Sequence, residues 1–293
     1  MRILLTGASG YVGRYVAARL GSSHAVLGTF FESEGLLPGC RQQRLDLRDP
    51  DAVRETVSSY APELVIHAGA LANPDVCERT PDLARAVNVE GTRAVAEAAA
   101  ERGAWLFYVS TDLVFSGDCP PYREDAVPRP LSVYAKTKVE AEAVCRGLCP
   151  KTALLRLSLG YGWKKSGPGA FVDKLYQDLR AGRRAKLFQD RFRSALFLDD
   201  AAEMIARLAE KPAAGVFHLA GPERISRFRF GILLCDVFGL DAGLVEPVRM
   251  EDMPGFAPRP ADCSLDGSKL WALVGVRPRK VVDGLRRMRE AVK

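Results

Sequence analysis

The chain has no Cys-x-x-Cys pair, and its three histidines, His24, His67 and His218, stand far apart. Its seven cysteines (Cys40, Cys77, Cys119, Cys145, Cys149, Cys235, Cys263) are odd in number and scattered. These shortages argue against a metal site and a disulfide framework and predict reduced thiols. Cys145 and Cys149 share a helical face and read as buried structural thiols. No apolar run approaches the roughly 20 residues that span a bilayer. The apolar stretch after Met1 and Arg2 is too short for a signal peptide. A cytoplasmic protein with no membrane partner is expected.

Charge of one sign is also scarce in any single place. The net charge is +6, from 42 basic and 36 acidic residues, but Lys164-Lys165, Arg183-Arg184 and Arg286-Arg287 are short and lie apart. Without a basic stripe interleaved with aromatics, nucleic acid is not the expected partner. A small anionic ligand accounts for the excess. No internal repeat or low-complexity tract is present. With 47% hydrophobic and 27% charged residues, a chain of 293 can bury a sizeable core, as one large domain or two modest ones.

In the first half, short apolar strands alternate with helical patterns, the signature of a parallel α/β sheet. Strands are predicted at residues 3–6, 25–31, 64–67, 105–109 and 153–157. Helices are predicted at 11–20, from Asp49-Pro50 to about 60, from Pro81 to the stop at Gly103, and at 133–149. Right-handed crossovers stack such units into a Rossmann-type doubly wound sheet. After Gly160 the pattern changes. Gly, Pro and Lys crowd 160–169, a helix follows at 170–181, and strands are predicted at 193–198 and 216–219. Pro254, Pro258 and Pro260 mark irregular structure before a last helix. The expected organisation is a nucleotide-binding domain at 1–162, completed by a strand near 215–220, and a smaller α/β substrate domain at 163–293.

Gly7, Gly10 and Gly13 form Gly-x-x-Gly-x-x-Gly directly between the first strand and first helix. Glycines there permit a tight turn and let backbone approach a pyrophosphate resting on the helix N-terminus. The loop, with Ser9, Tyr11 and Val12, is the expected seat of a dinucleotide. Asp46-Leu47 offers a carboxylate to an adenine amino group, or is an ordinary turn. An NAD site usually carries an acid at the end of the second strand. Here Thr29, Phe30 and Phe31 fill that stretch, Glu32 arrives late, and no arginine stands there, although Arg14 follows the loop. The missing acid favours NADP(H) and leaves NAD(H) open.

Tyr134 and Lys138 form Tyr-x-x-x-Lys in a helical stretch, so both project from one face. A second match, Tyr161 to Lys165, lies between glycines, where four-residue spacing has no such meaning. A phenol of pKa about 10 exchanges protons poorly at neutral pH, and a nearby ammonium brings it toward the working range. Ser110-Thr111-Asp112 follows the fourth predicted strand, at the sheet's carboxyl edge where such folds bind ligands. Thr111 can bond a substrate oxygen there, or simply close the strand with a turn.

Together these residues resemble the extended short-chain dehydrogenase/reductase family over nearly the whole chain. Val65-Ile-His-Ala-Gly-Ala70 is similar to its third-strand motif beside the cofactor, and Asn88-Val-Glu-Gly-Thr92 to its structural Asn motif. Within the family, further segments resemble dTDP-4-dehydrorhamnose reductases and the regulatory β subunits of methionine adenosyltransferase. These are Pro74-Asp-Val-Cys-Glu78, Ser110-Thr-Asp-Leu-Val-Phe115, Pro121-Tyr-Arg-Glu-Asp125, Pro130-Leu-Ser-Val-Tyr-Ala-Lys-Thr-Lys138 and Arg259-Pro-Ala-Asp-Cys-Ser-Leu265. The resemblance implies a catalytic triad of Thr111, Tyr134 and Lys138, the last two also meeting the cofactor with Ala68, Gly69 and Ala70. It implies substrate contacts from Thr111, Asp112, Arg193 and Arg259, the arginines clamping a sugar nucleotide's pyrophosphate, or else standing solvated on loops. It also implies a homodimer packed through helices near 82–102 and 133–149.

The chain departs from the rhamnose reductases at Leu113, at Leu159 and in Arg193-Ser-Ala-Leu-Phe-Leu-Asp-Asp200, which is more like nucleotide-sugar epimerases. Leu113 also argues against a dehydratase, which needs acids after the threonine. The resemblance therefore implies hydride transfer to a keto group of a nucleotide-linked sugar. An epimerase and a non-catalytic, NADP-binding regulatory subunit remain the alternatives.

Overall fold

The structure is a computed structural model that describes residues 1–34, 37–164, 170–253, 255 and 257–291. Lys165 of the second Tyr-x-x-x-Lys match and Pro254 lie outside the described residues, as does the 165–169 half of the 160–169 stretch. The first half runs β1 (Arg2–Thr6), α1 (Tyr11–Leu20), β2 (Ala25–Phe30), β3 (Cys40–Arg44), α2 (Pro50–Tyr60), β4 (Leu64–His67), α3 (Pro74–Arg79), α4 (Pro81–Arg85), α5 (Gly91–Arg102), β5 (Trp105–Thr111), α6 (Val133–Leu148) and β6 (Thr152–Leu157). Then follow β7 (Gly160–Tyr161), α7 (Phe171–Arg180), β8 (Ala185–Phe188), β9 (Phe192–Ser194), β10 (Leu196–Phe197), α8 (Leu198–Glu210) and β11 (Gly215–Leu219). The chain closes with β12 (Arg224–Ser226), α9 (Arg227–Phe238), β13 (Val245–Val248), α10 (Ser268–Val274) and α11 (Val281–Glu290).

The central sheet has seven strands in the order β11-β6-β5-β4-β1-β2-β3, and every pair in it is parallel. This is the doubly wound Rossmann arrangement, with the strand order reversing between β1 and β4. Its inner strands are apolar along their length because helices cover both faces. Ile3, Leu5 and Ile66 pack toward α1 and α8, while Leu4, Val65 and Leu106 face α2, α5 and α6. Each such side chain fully buried stabilises the fold by about 1.5–3 kcal/mol. The alanine-rich face of α5 packs within the chain against α2 and α6. A third apolar cluster, around Phe230, Leu175 and Leu285, lies among α7, α9 and α11.

Local sequence explains most boundaries. Asp49 caps α2 by accepting from the Ala52 amide at 3.0 Å, ahead of Pro50. Gly103 ends α5 in the left-handed region, φ 69°. Four expectations need correction. The helix predicted from Pro81 to Gly103 is broken by a π-turn at Ala86–Glu90, which directs Asn88 at its neighbours. β3 and α3 were not foreseen: β3 is a polar edge strand, Cys-Arg-Gln-Gln-Arg, with no alternation to betray it. The strand expected at 193–198 is two short pieces, β9 pairing antiparallel with β12 and β10 parallel with β7. Finally, Ser110 and Thr111 are the last residues of β5, not the turn after it, and Asp112 opens the turn.

Candidate functional site

The carboxyl ends of β1, β4, β5 and β6 meet at the topological switch point, the usual ligand crevice of an open α/β sheet. The 7–13 loop turns there on a left-handed Gly7, φ 66°. A Cβ at Gly7 would lie 2.7 Å from the Gly69 backbone, and one at Gly13 would lie 2.1 Å from the Gly7 carbonyl oxygen. Only glycine fits either place. Gly10 caps α1 without a side chain, which leaves the first-turn amides directed at the crevice. Ser9 accepts from Arg14 Nη2 at its carbonyl, 3.1 Å, and the Tyr11 hydroxyl donates to the Gly162 carbonyl at 2.6 Å. Tyr11 and Val12 face the same cavity as Ala68 and Ala70. Beneath Gly69, the Thr6 hydroxyl accepts from its amide at 3.2 Å and meets His67 Nδ1 at 2.6 Å.

Asp46 and Leu47 leave β3 close by. Leu47 packs against Gly69 and Gly91. Arg48 forks onto the Asp46 carboxylate at 2.6–3.1 Å and holds its pKa below the usual carboxylate range. The expectation that no arginine stands at the end of β2 is corrected by the fold. Arg44 and Arg48 arrive from β3 and its exit, with guanidiniums 5.5 and 5.2 Å from the half-exposed Phe31 ring.

Across the crevice, Ser132 caps α6 through the Ala135 amide, so Tyr134 and Lys138 start a regular helix and share its inner face. Both are buried. The Tyr134 phenol is raised by burial and by Asp112, while a hydrogen bond with Thr111 and the Arg193 guanidinium pull it down. Lys138 donates to the Val109 carbonyl at 2.8 Å and stands 4.1 Å from the Tyr108 ring centroid. Burial lowers its pKa to about 8. Behind it, Glu142 joins Ser110 at 2.6 Å to a buried Arg156 at 2.8 Å. Asn88, at the π-turn, accepts from the Leu71 amide at 2.8 Å and donates to Thr137 at 3.1 Å, fixing α6 against the loop after β4.

Thr111, Asp112, Tyr134, Lys138, Arg193 and Arg259 line one cavity of about 570 Å³ that reaches Tyr11 and Val12. Arg193 is buried on β9, its Nε 2.7 Å from Asp112 Oδ2. Arg259 donates to Asp75 at 2.6 Å. Neither arginine is the solvated loop residue of the alternative reading.

The sequence matches the RmlD substrate binding domain family over residues 1–293. The chain belongs to that family, among the extended short-chain dehydrogenase/reductases. It is 32% identical over 282 residues to methionine adenosyltransferase 2 subunit beta of Xenopus laevis, covering 92% of this chain and 81% of that one. It is 30% identical over 289 residues to the probable low-salt glycan biosynthesis reductase Agl14 of Haloferax volcanii, covering 97% and 96%. Among solved structures, the dTDP-4-dehydrorhamnose reductase of Bacillus anthracis in complex with NADP superposes with TM-score 0.86 at 26% identity, over 99% of both chains.

Three site residues of this RmlD-family chain escaped the sequence reading. Arg191, Arg227 and Lys186 line the same cavity. Arg191 stands two residues before Arg193, just ahead of β9, a spacing that puts side chains on one side of extended backbone. Arg227 gave no signal. It opens α9, and only the antiparallel β9–β12 pair brings it to Arg193. No helix among the described residues is long and apolar enough to cross a membrane, and none of their side chains form a metal-ligating group.

Proposed function

We propose that this protein is an NAD(P)H-dependent oxidoreductase that delivers hydride to a keto group of a nucleotide-linked sugar, in the manner of dTDP-4-dehydrorhamnose reductase. The observation that carries this reading is one cavity lined by Thr111, Tyr134 and Lys138 that also reaches Tyr11 and Val12 of the glycine loop. The space a Cβ would fill at Gly7 and Gly13, with the uncapped start of α1, fits a dinucleotide pyrophosphate. A nicotinamide dinucleotide there supplies the hydride. Ala68, Gly69 and Ala70 form the wall beside it. Thr111 orients the substrate oxygen and Tyr134 gives it a proton, which solvent restores to the phenolate, while Lys138 holds the ribose. Asp112 fixes Arg193, and Arg193 with Arg259 offers guanidinium forks to the substrate's diphosphate.

NADP(H) is the preferred cofactor in this reading. Arg44 and Arg48 stand over Phe31 at the end of β2, where an NAD site has its acid, and suit a 2′-phosphate. Asp46 reaches the adenine edge from the same turn. The enzyme works in the cytoplasm as a homodimer through α5 and α6. A monomer by light scattering at micromolar concentration would remove the dimer.

A second reading, a regulatory subunit without turnover, is favoured by the 32% identity to the methionine adenosyltransferase β subunit. The deciding experiment is NADPH oxidation with dTDP-4-dehydrorhamnose, set beside activation of a methionine adenosyltransferase. Oxidation above background supports the reductase. Activation without oxidation overturns it.

A further inference from the structure

A polar row crosses the sheet one residue behind Thr111. Ser110 on β5 is in register with Arg156 on β6, and Arg156 with His218 on β11. Neighbours in register project to the same face, so the three buried side chains line up beside one another. Glu142 comes down on this row from α6. Its Oε1 accepts from the Ser110 hydroxyl at 2.6 Å and from Arg156 Nε at 3.1 Å, and its Oε2 from Arg156 Nη2 at 2.8 Å. Phe115 covers the guanidinium, its ring centroid 5.1 Å away.

Lys138 lies one helical turn before Glu142 on the same face of α6. Its Nζ donates to the carbonyl of Val109, the residue before Ser110. Lys138 and Glu142 thus grip two successive residues of β5, and Thr111 is the next. The other titratable groups on this side are Tyr134 and Cys145 on α6, Tyr108 on β5, His67 on β4 and His218 on β11. Burial pushes the Cys145 thiol up to about 12 and both phenols above their usual value, and it drops His67 to about 3 and His218 to about 4. All five are uncharged near neutral pH. Cys77 and Asp112 face Tyr134, farther along the helix, and Arg85 of α4 pairs with Glu140 on the outer side of α6. Among the described residues facing Lys138, Glu142 is therefore the one negative charge. Burial lowers Lys138, and Cys145 and Glu142 oppose the fall.

We propose that Glu142 is a positioning residue for Lys138: held by Arg156 and Ser110, it keeps the buried ammonium charged and in place. The inference rests on the reductase reading for the task of Lys138 and adds the group that governs its charge. On that reading, the Glu142–Arg156 pair sets the alkaline limit of cofactor binding. Neutralising Glu142 alone leaves Arg156 as a second buried cation near Lys138, so the ammonium gives up its proton more readily. Removing both charges of the pair takes away the anion and the stranded cation together.

Lysine-selective NMR of the isotopically labelled full chain reads the charge directly, with the Lys138 signal assigned by its loss in Lys138→Met. The wild-type midpoint is expected at about 8. Glu142→Gln, which keeps the size and loses the charge, should lower it by about one pH unit or more. Glu142→Gln combined with Arg156→Met should lie between that value and wild type, and Glu142→Asp, which keeps the charge, should stay nearer wild type. Thermal melting reports the folding of each variant. The double variant leaves no charge of the pair buried, so it carries the test if Glu142→Gln alone does not fold. A wild-type midpoint in folded Glu142→Gln, or in the double variant, overturns the proposal. NADPH binding, followed by nicotinamide fluorescence on the same samples, should lose affinity along the same midpoints. If the midpoints move and NADPH affinity does not follow, Lys138 does not hold the ribose, and the reductase reading fails there while the control of the ammonium by Glu142 stands.

Discussion

Arg193 Nε lies 2.7 Å from Asp112 Oδ2, and both side chains are almost wholly buried. The pair joins the end of β5 to the short strand β9, so the catalytic edge of the sheet and the elements after Gly160 share one electrostatic contact. Removing one partner of such a pair leaves a buried charge and costs about 3–5 kcal/mol. Asp112→Asn should therefore lower unfolding free energy by about 3 kcal/mol in urea denaturation. Asp112→Asn with Arg193→Met should recover part of the loss, and simple additivity of the two would show that the pair is not coupled.

Tyr134→Phe should leave NADPH binding nearly intact and cut turnover by about 10²–10⁴-fold, because it removes only the proton. Lys138→Ala should damage both cofactor binding and rate. Steady-state kinetics with any accepted substrate checks this, and an unchanged rate in the phenylalanine variant removes the triad from the account.

Arg44→Ala and Arg48→Ala should weaken NADPH binding by about 1.5–3 kcal/mol, the range for a charged hydrogen bond, and leave NADH unaffected. Nicotinamide fluorescence titration with both cofactors reads the difference. Parallel weakening of NADH would mean that these arginines act on the adenosine and not on a 2′-phosphate.

His67 and His218 predict the acid behaviour. Burial lowers their pKa values from 6.5 to about 3 and about 4. His67 is pinned between Thr6 and Thr92, and His218 faces the Asp266 carbonyl. As pH falls below 6.5 the unfolded chain takes up these protons while the folded chain does not, so stability drops until the folded values are reached. Each histidine contributes a slope of up to about 1.4 kcal/mol per pH unit. Urea unfolding between about pH 7 and about pH 4.5 should show this fall, shallower in His218→Gln. A flat profile over that range would mean that the histidines are protonated in the folded protein.

Gly13→Ala should abolish cofactor binding, since its Cβ would sit 2.1 Å from the Gly7 carbonyl oxygen and must open the loop. Gly147→Ala, on the same kind of helix but with nothing within 4 Å, is the control and should bind normally.

What the amino-acid order alone determined is the part written in short-range pattern. The apolar runs of β1, β4 and β5, the Asp49 cap, the stop at Gly103 and the glycine loop are all properties of neighbours in sequence. They were legible because period, capping chemistry and glycine spacing act locally. The Tyr134–Lys138 face was legible for the same reason: a helix puts residues four apart side by side. The polar edge strand β3 carries no such period, and neither does the broken turn at Asn88. Only tertiary structure decided which charges meet. Arg44 and Arg48 reach Phe31 because β3 pairs with β2, and Arg227 reaches Arg193 because β12 pairs with β9. Electrostatic partnership depends on distance through space, and strand pairing across long loops sets that distance without leaving a mark in any local window of sequence.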